Sequence, residues 1–106
     1  MTEILVKRKN GSIVGFEVSG HSGFACEGED IVCASISSVT WCTINGLLNV
    51  LGLDVGYEES DAYIKCTLPH LDEEERERAD ILLESMIMFF DELQMKYPDF
   101  VLKTEV

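Results

Sequence analysis

The residues with the most chemistry to offer lie close together in the chain. "GHSGFACEGEDIVCAS" runs from Gly20 to Ser35, opens with His21, one of two histidines, and reaches Cys33, one of four cysteines. An imidazole beside a thiol is the minimum set for nucleophilic hydrolysis of an amide. The base makes and holds the thiolate, then protonates the leaving amine. The eleven residues between His21 and Cys33 permit the two side chains to meet if the segment folds back, and do not require it.

The positions around the pair sharpen the reading. Asp30 stands where a helix N-cap belongs, which makes Cys33 the third helical residue. Unpaired N–H groups and the dipole of a first helical turn favour a thiolate there. An ionised Asp30 opposes the same charge, so its net electronic effect is open. The competing reading of Cys33 is a small core residue. Ser37 lies one helical turn beyond Cys33, on the same face. It can hydrogen-bond near the thiol or return a bond to a backbone carbonyl. Glu27, Glu29 and Asp30 can grip a basic substrate or simply solvate a loop. Gly23 and Gly28 give that loop its freedom.

The remaining thiols and the second histidine suit chemistry less well. Cys42 follows Cys33 by nine residues, about 900° of helix, and so faces the other way. Cys66 falls on the apolar side of a predicted strand. Cys26 lies in the loop, and His70 precedes an acidic helix as a surface residue. His21, Cys26 and Cys33 with a carboxylate do not match the ligand spacing of a familiar zinc site. No metal or cofactor is therefore expected.

Composition restricts the partners. The chain has 106 residues, 46% of them hydrophobic, enough for one domain with its own core. With 20 acidic against 8 basic residues the net charge is −12, which argues against nucleic acid and for a basic partner or plain solubility. "MTEILVKRKN" does not read as a secretory signal. No run of apolar residues reads as a membrane span. The expected setting is cytoplasmic, with reduced thiols.

These side chains need elements to position them. "EILVKRKNGSIVGFEVSG" predicts a hairpin turning at Asn10-Gly11. Cys33, Ile36, Thr40, Ile44, Leu47 and Leu51 predict a helix over 31–51, with Gly52 as terminator. "VGYEES" and "AYIKCTL" predict a second hairpin. A second helix over 72–97 presents Ala79, Leu82, Met86, Phe89 or Phe90, Leu93 and Tyr97. "FVLKTEV" after Pro98 can add a strand. The order ββαββα(β) predicts an α+β fold, a mostly antiparallel sheet with two helices packed on it.

Taken together, "GHSGFACEGEDIVCASIS" resembles the bacterial ribosomal-processing cysteine protease family. The pattern is a Gly-His pair, a Gly-rich loop, Asp-Ile-Val-Cys-Ala, and a serine four residues after the cysteine. In this chain it is carried by Gly20, His21, Asp30, Ile31, Val32, Cys33, Ala34 and Ser37. The arrangement of elements fits over essentially the whole chain. The resemblance implies a homodimeric cysteine endopeptidase with His21 as base and Cys33 as nucleophile. Asp30, Ser37 and Gly20 would support the site, and Gly23, Glu27, Gly28 and Glu29 would belong to a loop that opens for substrate. It implies a basic ribosomal protein precursor as substrate, relieved of a short N-terminal extension after an aromatic pair, or a phage structural protein in related members. The oxyanion would rest on backbone N–H groups at the helix start. Two other readings use the same residues: a non-catalytic module that binds a basic ribosomal tail, and a redox sensor pairing Cys26 with Cys33.

Overall fold

A computed structural model of the chain describes residues 1–26 and 28–106. The expectation for Glu27 lies outside them. The predicted hairpin is present as β1 (Thr2–Lys9) and β2 (Ser12–Ser19). Asn10 and Gly11 both have positive φ, 53° and 82°, the backbone of a tight turn whose twist matches the strands it joins. β3 (Gly56–Ser60) and β4 (Tyr63–Thr67) form the second hairpin, and the chain does end in a strand, β5 (Val101–Glu105). The sheet runs β3-β4-β2-β1-β5. Its pairs are antiparallel except β1 with β5, which are parallel.

Strand alternation sets which side of the sheet is core. Ile4 pairs with Val18 and Val18 with Ile64; Val6 pairs with Phe16 and Phe16 with Cys66. All six are buried. The opposite face carries Lys7, Glu17, Tyr63 and Lys65 and is only half-buried. There Lys7 pairs with Glu17 at 3.4 Å, and the Tyr63 hydroxyl donates to Glu17 at 2.6 Å.

Helix α1 (Ile31–Asn45) continues as a π-helical turn over Gly46–Val50, closed by the Leu51 N–H donating to the Gly46 carbonyl at 2.9 Å. The run Ile31–Val50 is 20 residues, long and apolar enough by length and composition to cross a bilayer, which corrects the expectation that no such run exists. In this fold it is the core helix, with Val32, Ile36, Ile44 and Leu47 buried. Helix α2 (Glu73–Lys96) starts at a capping box between Asp72 and Glu75. Ala79, Met86, Phe90 and Leu93 are buried as predicted, joined by Leu83 and Ile87. Leu82 and Phe89 are half-buried against the core. The buried stripe is thus broader than the predicted one, as a helix packed on a sheet requires.

Candidate active site

His21 owes its place to Gly20. Gly20 ends β2 at φ +87°, a conformation L side chains rarely adopt, and a Cβ on it would lie 2.6 Å from the Met1 carbonyl oxygen. The Gly20 N–H donates to the Ala62 carbonyl at 2.8 Å, and its carbonyl accepts from the Thr2 hydroxyl at 3.3 Å. The Thr2 hydroxyl of β1 and the backbone of the β3–β4 turn therefore fix where the chain leaves the sheet. His21 is the next residue.

Cys33 owes its place to Asp30. Asp30 is the N-cap of α1, with extended backbone, and its Oδ1 accepts from the Cys33 N–H at 2.9 Å. Its Oδ2 accepts from the Ser22 hydroxyl and, at 3.4 Å, from the Ala25 N–H. Partial burial pushes the Asp30 carboxyl up, but the bonds from Cys33, Ser22 and the loop amides outweigh it and hold the group below its ordinary value. The carboxylate thus stays ionised while serving both ends of the segment.

Two cavities open beside these residues. The larger, about 440 Å³, is lined by His21, Gly23, Ala25, Gly28, Asp30, Cys33, Ala34 and Ser37. The smaller, about 220 Å³, is walled by Val18, Ile36, Trp41, Tyr63 and Ile64 and reaches Gly20 and Glu59. His21, Cys33 and Ser37 line both and form the ridge between them. The structure therefore brings together His21, Cys33, Asp30, Ser37, Gly23 and Gly28 at one cavity and Gly20 at the other, while Glu29 lines neither. Among the described residues no three His, Cys, Asp or Glu side chains converge as metal ligands.

The other three cysteines line neither cavity. Cys26 and Cys42 are exposed, and Cys66 is buried, where desolvation pushes its thiol up to about 11. His70 is exposed and lines a separate cavity with Lys9 and Arg76. The Cys33 N–H is taken by Asp30 Oδ1 and the Ala34 N–H by the Asp30 carbonyl at 3.0 Å, which leaves the expected oxyanion role at the helix start to the Ile31 and Val32 amides, the two that precede Cys33 in α1.

Sequence reasoning missed two anchors of the loop. Ser22 is buried at its base. Phe24 stacks edge-on against Tyr97 and Phe100, both at 5.4 Å between ring centroids. A serine and a phenylalanine in a polar, glycine-rich stretch carry no local signal of such partners. Of Trp41, Tyr57 and Tyr63, the aromatics the sequence offers for a substrate pocket or for core and sheet surface, Trp41 and Tyr63 line the smaller cavity, and Tyr57 packs edge-on to Trp41 at 5.8 Å.

Known proteins are similar to this chain in sequence and in fold. The ribosomal processing cysteine protease Prp of Bacillus subtilis (strain 168) is 32% identical over 105 residues, covering 93% of this chain and 92% of that one. The crystal structure of an essential ribosomal processing protease Prp from S. aureus, with a covalently linked product peptide, superposes with a TM-score of 0.91 at 17% identity, covering all of both chains. SMU.848 from Streptococcus mutans superposes with a TM-score of 0.82 at 26% identity, covering all of this chain and 94% of that one. The family described as cysteine protease Prp matches residues 1–102. The chain belongs to that family of cysteine proteases.

Proposed function

We propose that this cysteine protease removes the N-terminal extension of a large-subunit ribosomal protein precursor, cutting after a pair of aromatic residues. The observation that carries the reading is the ridge: His21 and Cys33 line both cavities at once, so a peptide lying across them passes over both side chains. The thiolate of Cys33 attacks the scissile carbonyl carbon, forming a C–S bond as the carbonyl electrons move to oxygen. Protonated His21 gives its proton to the amine as the C–N bond breaks. Water, deprotonated by His21, then hydrolyses the thioester and returns the thiol. Asp30 and Gly20 hold the two reacting residues in place. Ser37, which lines both cavities with His21 and Cys33, supports the site beside the amides at the start of α1, to which the developing oxyanion is assigned.

Three observations support the substrate class. The net charge of −12 suits a basic ribosomal tail. The smaller cavity, about 220 Å³ and lined by Trp41 and Tyr63 among others, exceeds the roughly 150 Å³ of an apolar cavity that binds benzene, so its size suits one aromatic side chain. The similar proteins from Bacillus subtilis and S. aureus carry ribosomal processing in their names. We place the reaction in the cytoplasm, where thiols stay reduced, and the active species as a homodimer.

The test is a cleavage assay on a peptide comprising the extension and the basic tail, with products read by mass spectrometry. One cut after the aromatic pair is expected, lost in both Cys33→Ala and His21→Ala. A peptide that binds and stays intact would overturn the protease reading in favour of a binding module.

A further inference from the structure

Among the described residues of the 20–30 segment, Ser22 alone is buried, at 1% exposure. A serine side chain gains little from apolar burial, and a buried hydroxyl without partners is costly. Its hydrogen bonds explain its position. The hydroxyl donates to Asp30 Oδ2 and accepts from the Phe24 N–H at 3.3 Å. The other oxygen of the same carboxylate, Oδ1, accepts from the Cys33 N–H at 2.9 Å. One carboxylate thus joins the residue after His21 to the amide of Cys33 itself. Both links are charge-assisted, the stronger class of hydrogen bond. Gly20 and Gly23 flank the His21-Ser22 pair, and the loop's other anchor, the ring of Phe24 against Tyr97 and Phe100, makes no hydrogen bond to the Cys33 end.

We propose that Ser22 is a positioning residue, which acts through Asp30 to set the separation of the His21 imidazole from the Cys33 thiol. The proposal rests on the protease reading and deepens it. Misplacing reacting groups by about 1 Å can cost on the order of 100-fold in rate, so a link of this kind has kinetic weight out of proportion to its size.

The test compares Ser22→Thr, which keeps the hydroxyl, with Ser22→Val, which matches its shape without it. Each is made with Asp30 present and in an Asp30→Ala background. Two rates are read: peptide cleavage, and iodoacetamide labelling of Cys33 followed on the Cys33 peptide by mass spectrometry. With Asp30 present, the Val protein is expected to lose about 10-fold or more in kcat against the Thr protein, with KM within about 2-fold. Cys33 labelling is expected to change with it. In the Asp30→Ala background the Thr-to-Val ratio is expected to fall to about 1. Equal rates for Thr and Val with Asp30 present, or a ratio that persists without Asp30, would overturn the proposal. If the added methyl prevents folding, Ser22→Ala against the parent protein supplies the same comparison. Parent protein that never cuts the peptide would sink the protease reading alone, because Cys33 labelling still reads the Ser22–Asp30 link.

Discussion

A carboxylate beside the thiol proposed as nucleophile looks at first like an electrostatic mistake. Asp30 is tolerable because its lone pairs are committed to donors: the Cys33 amide, the Ser22 hydroxyl and the Ala25 amide. The local half of this was legible, since an aspartate three residues before Cys33 is a capping signature. The Ser22 half was not, because its partner lies eight residues away across a loop with no periodicity. A second side-chain pair gives a prediction at the same scale. The hydrogen bond to Glu17 first, and burial second, push the Tyr63 phenol up from 10.0 to about 12. The same bond, outweighing partial burial, holds Glu17 below 4.5. A raised group stabilises below its unfolded value, so Tyr63 contributes in full below pH 10 and loses that contribution as pH climbs toward 12. A lowered carboxyl does the reverse: Glu17 contributes above pH 4.5 and loses that contribution as pH falls below it. Melting temperatures across pH should therefore show Tyr63→Phe converging on the parent protein at both extremes and lagging it between. A gap that stays constant with pH would contradict the linkage.

At the scale of elements, the site is the junction between the end of β2 and the start of α1, where backbone constraints at Gly20 and Asp30 place the two residues proposed to react. Asn10-Gly11, the capped start of α1 and the hairpin of β3 and β4 were all readable, because turn chemistry and periodicity are local signals. The reason for Gly20 was not, since the obstacle to a side chain is the Met1 carbonyl at 2.6 Å, a contact between strands. Gly20→Ala is expected to cost about 1–3 kcal/mol of stability and to lower cleavage more than stability alone explains, because the strain displaces His21. Urea denaturation and cleavage rate on one preparation check both parts, and an active, equally stable variant would refute the assignment. The α2 stripe shows the opposite limit of sequence reasoning. Leu82 and Leu83, or Phe89 and Phe90, are adjacent apolar choices, and only packing against the sheet decides which is buried.

The whole molecule leaves one conspicuous apolar line uncovered. Ile81, Met88 and Met95 recur every seventh residue on α2 and are 72%, 70% and 82% exposed. Seven residues are close to two helical turns, so the three share a face. This is the surface on which the proposed homodimer would close. Replacing all three with glutamate should shift sedimentation from dimer to monomer without lowering the melting temperature of the monomer. Unchanged sedimentation would place the dimer contact elsewhere. The parallel β1–β5 pairing belongs to this scale as well. It joins the two ends of the described fold, and no local pattern in "FVLKTEV" foretold its partner.

The contact of Phe24 with Tyr97 and Phe100 has a consequence for the order of synthesis. Translation makes His21, the loop and Cys33 early, and the aromatic surface that receives the loop late. Until Phe100 has cleared the exit tunnel, the nascent chain holds its reacting groups without the dock that shapes their cleft. Proteolytic competence thus waits on residues made well after the proposed reacting pair, a built-in delay for a protease whose proposed substrates are made on the same machine.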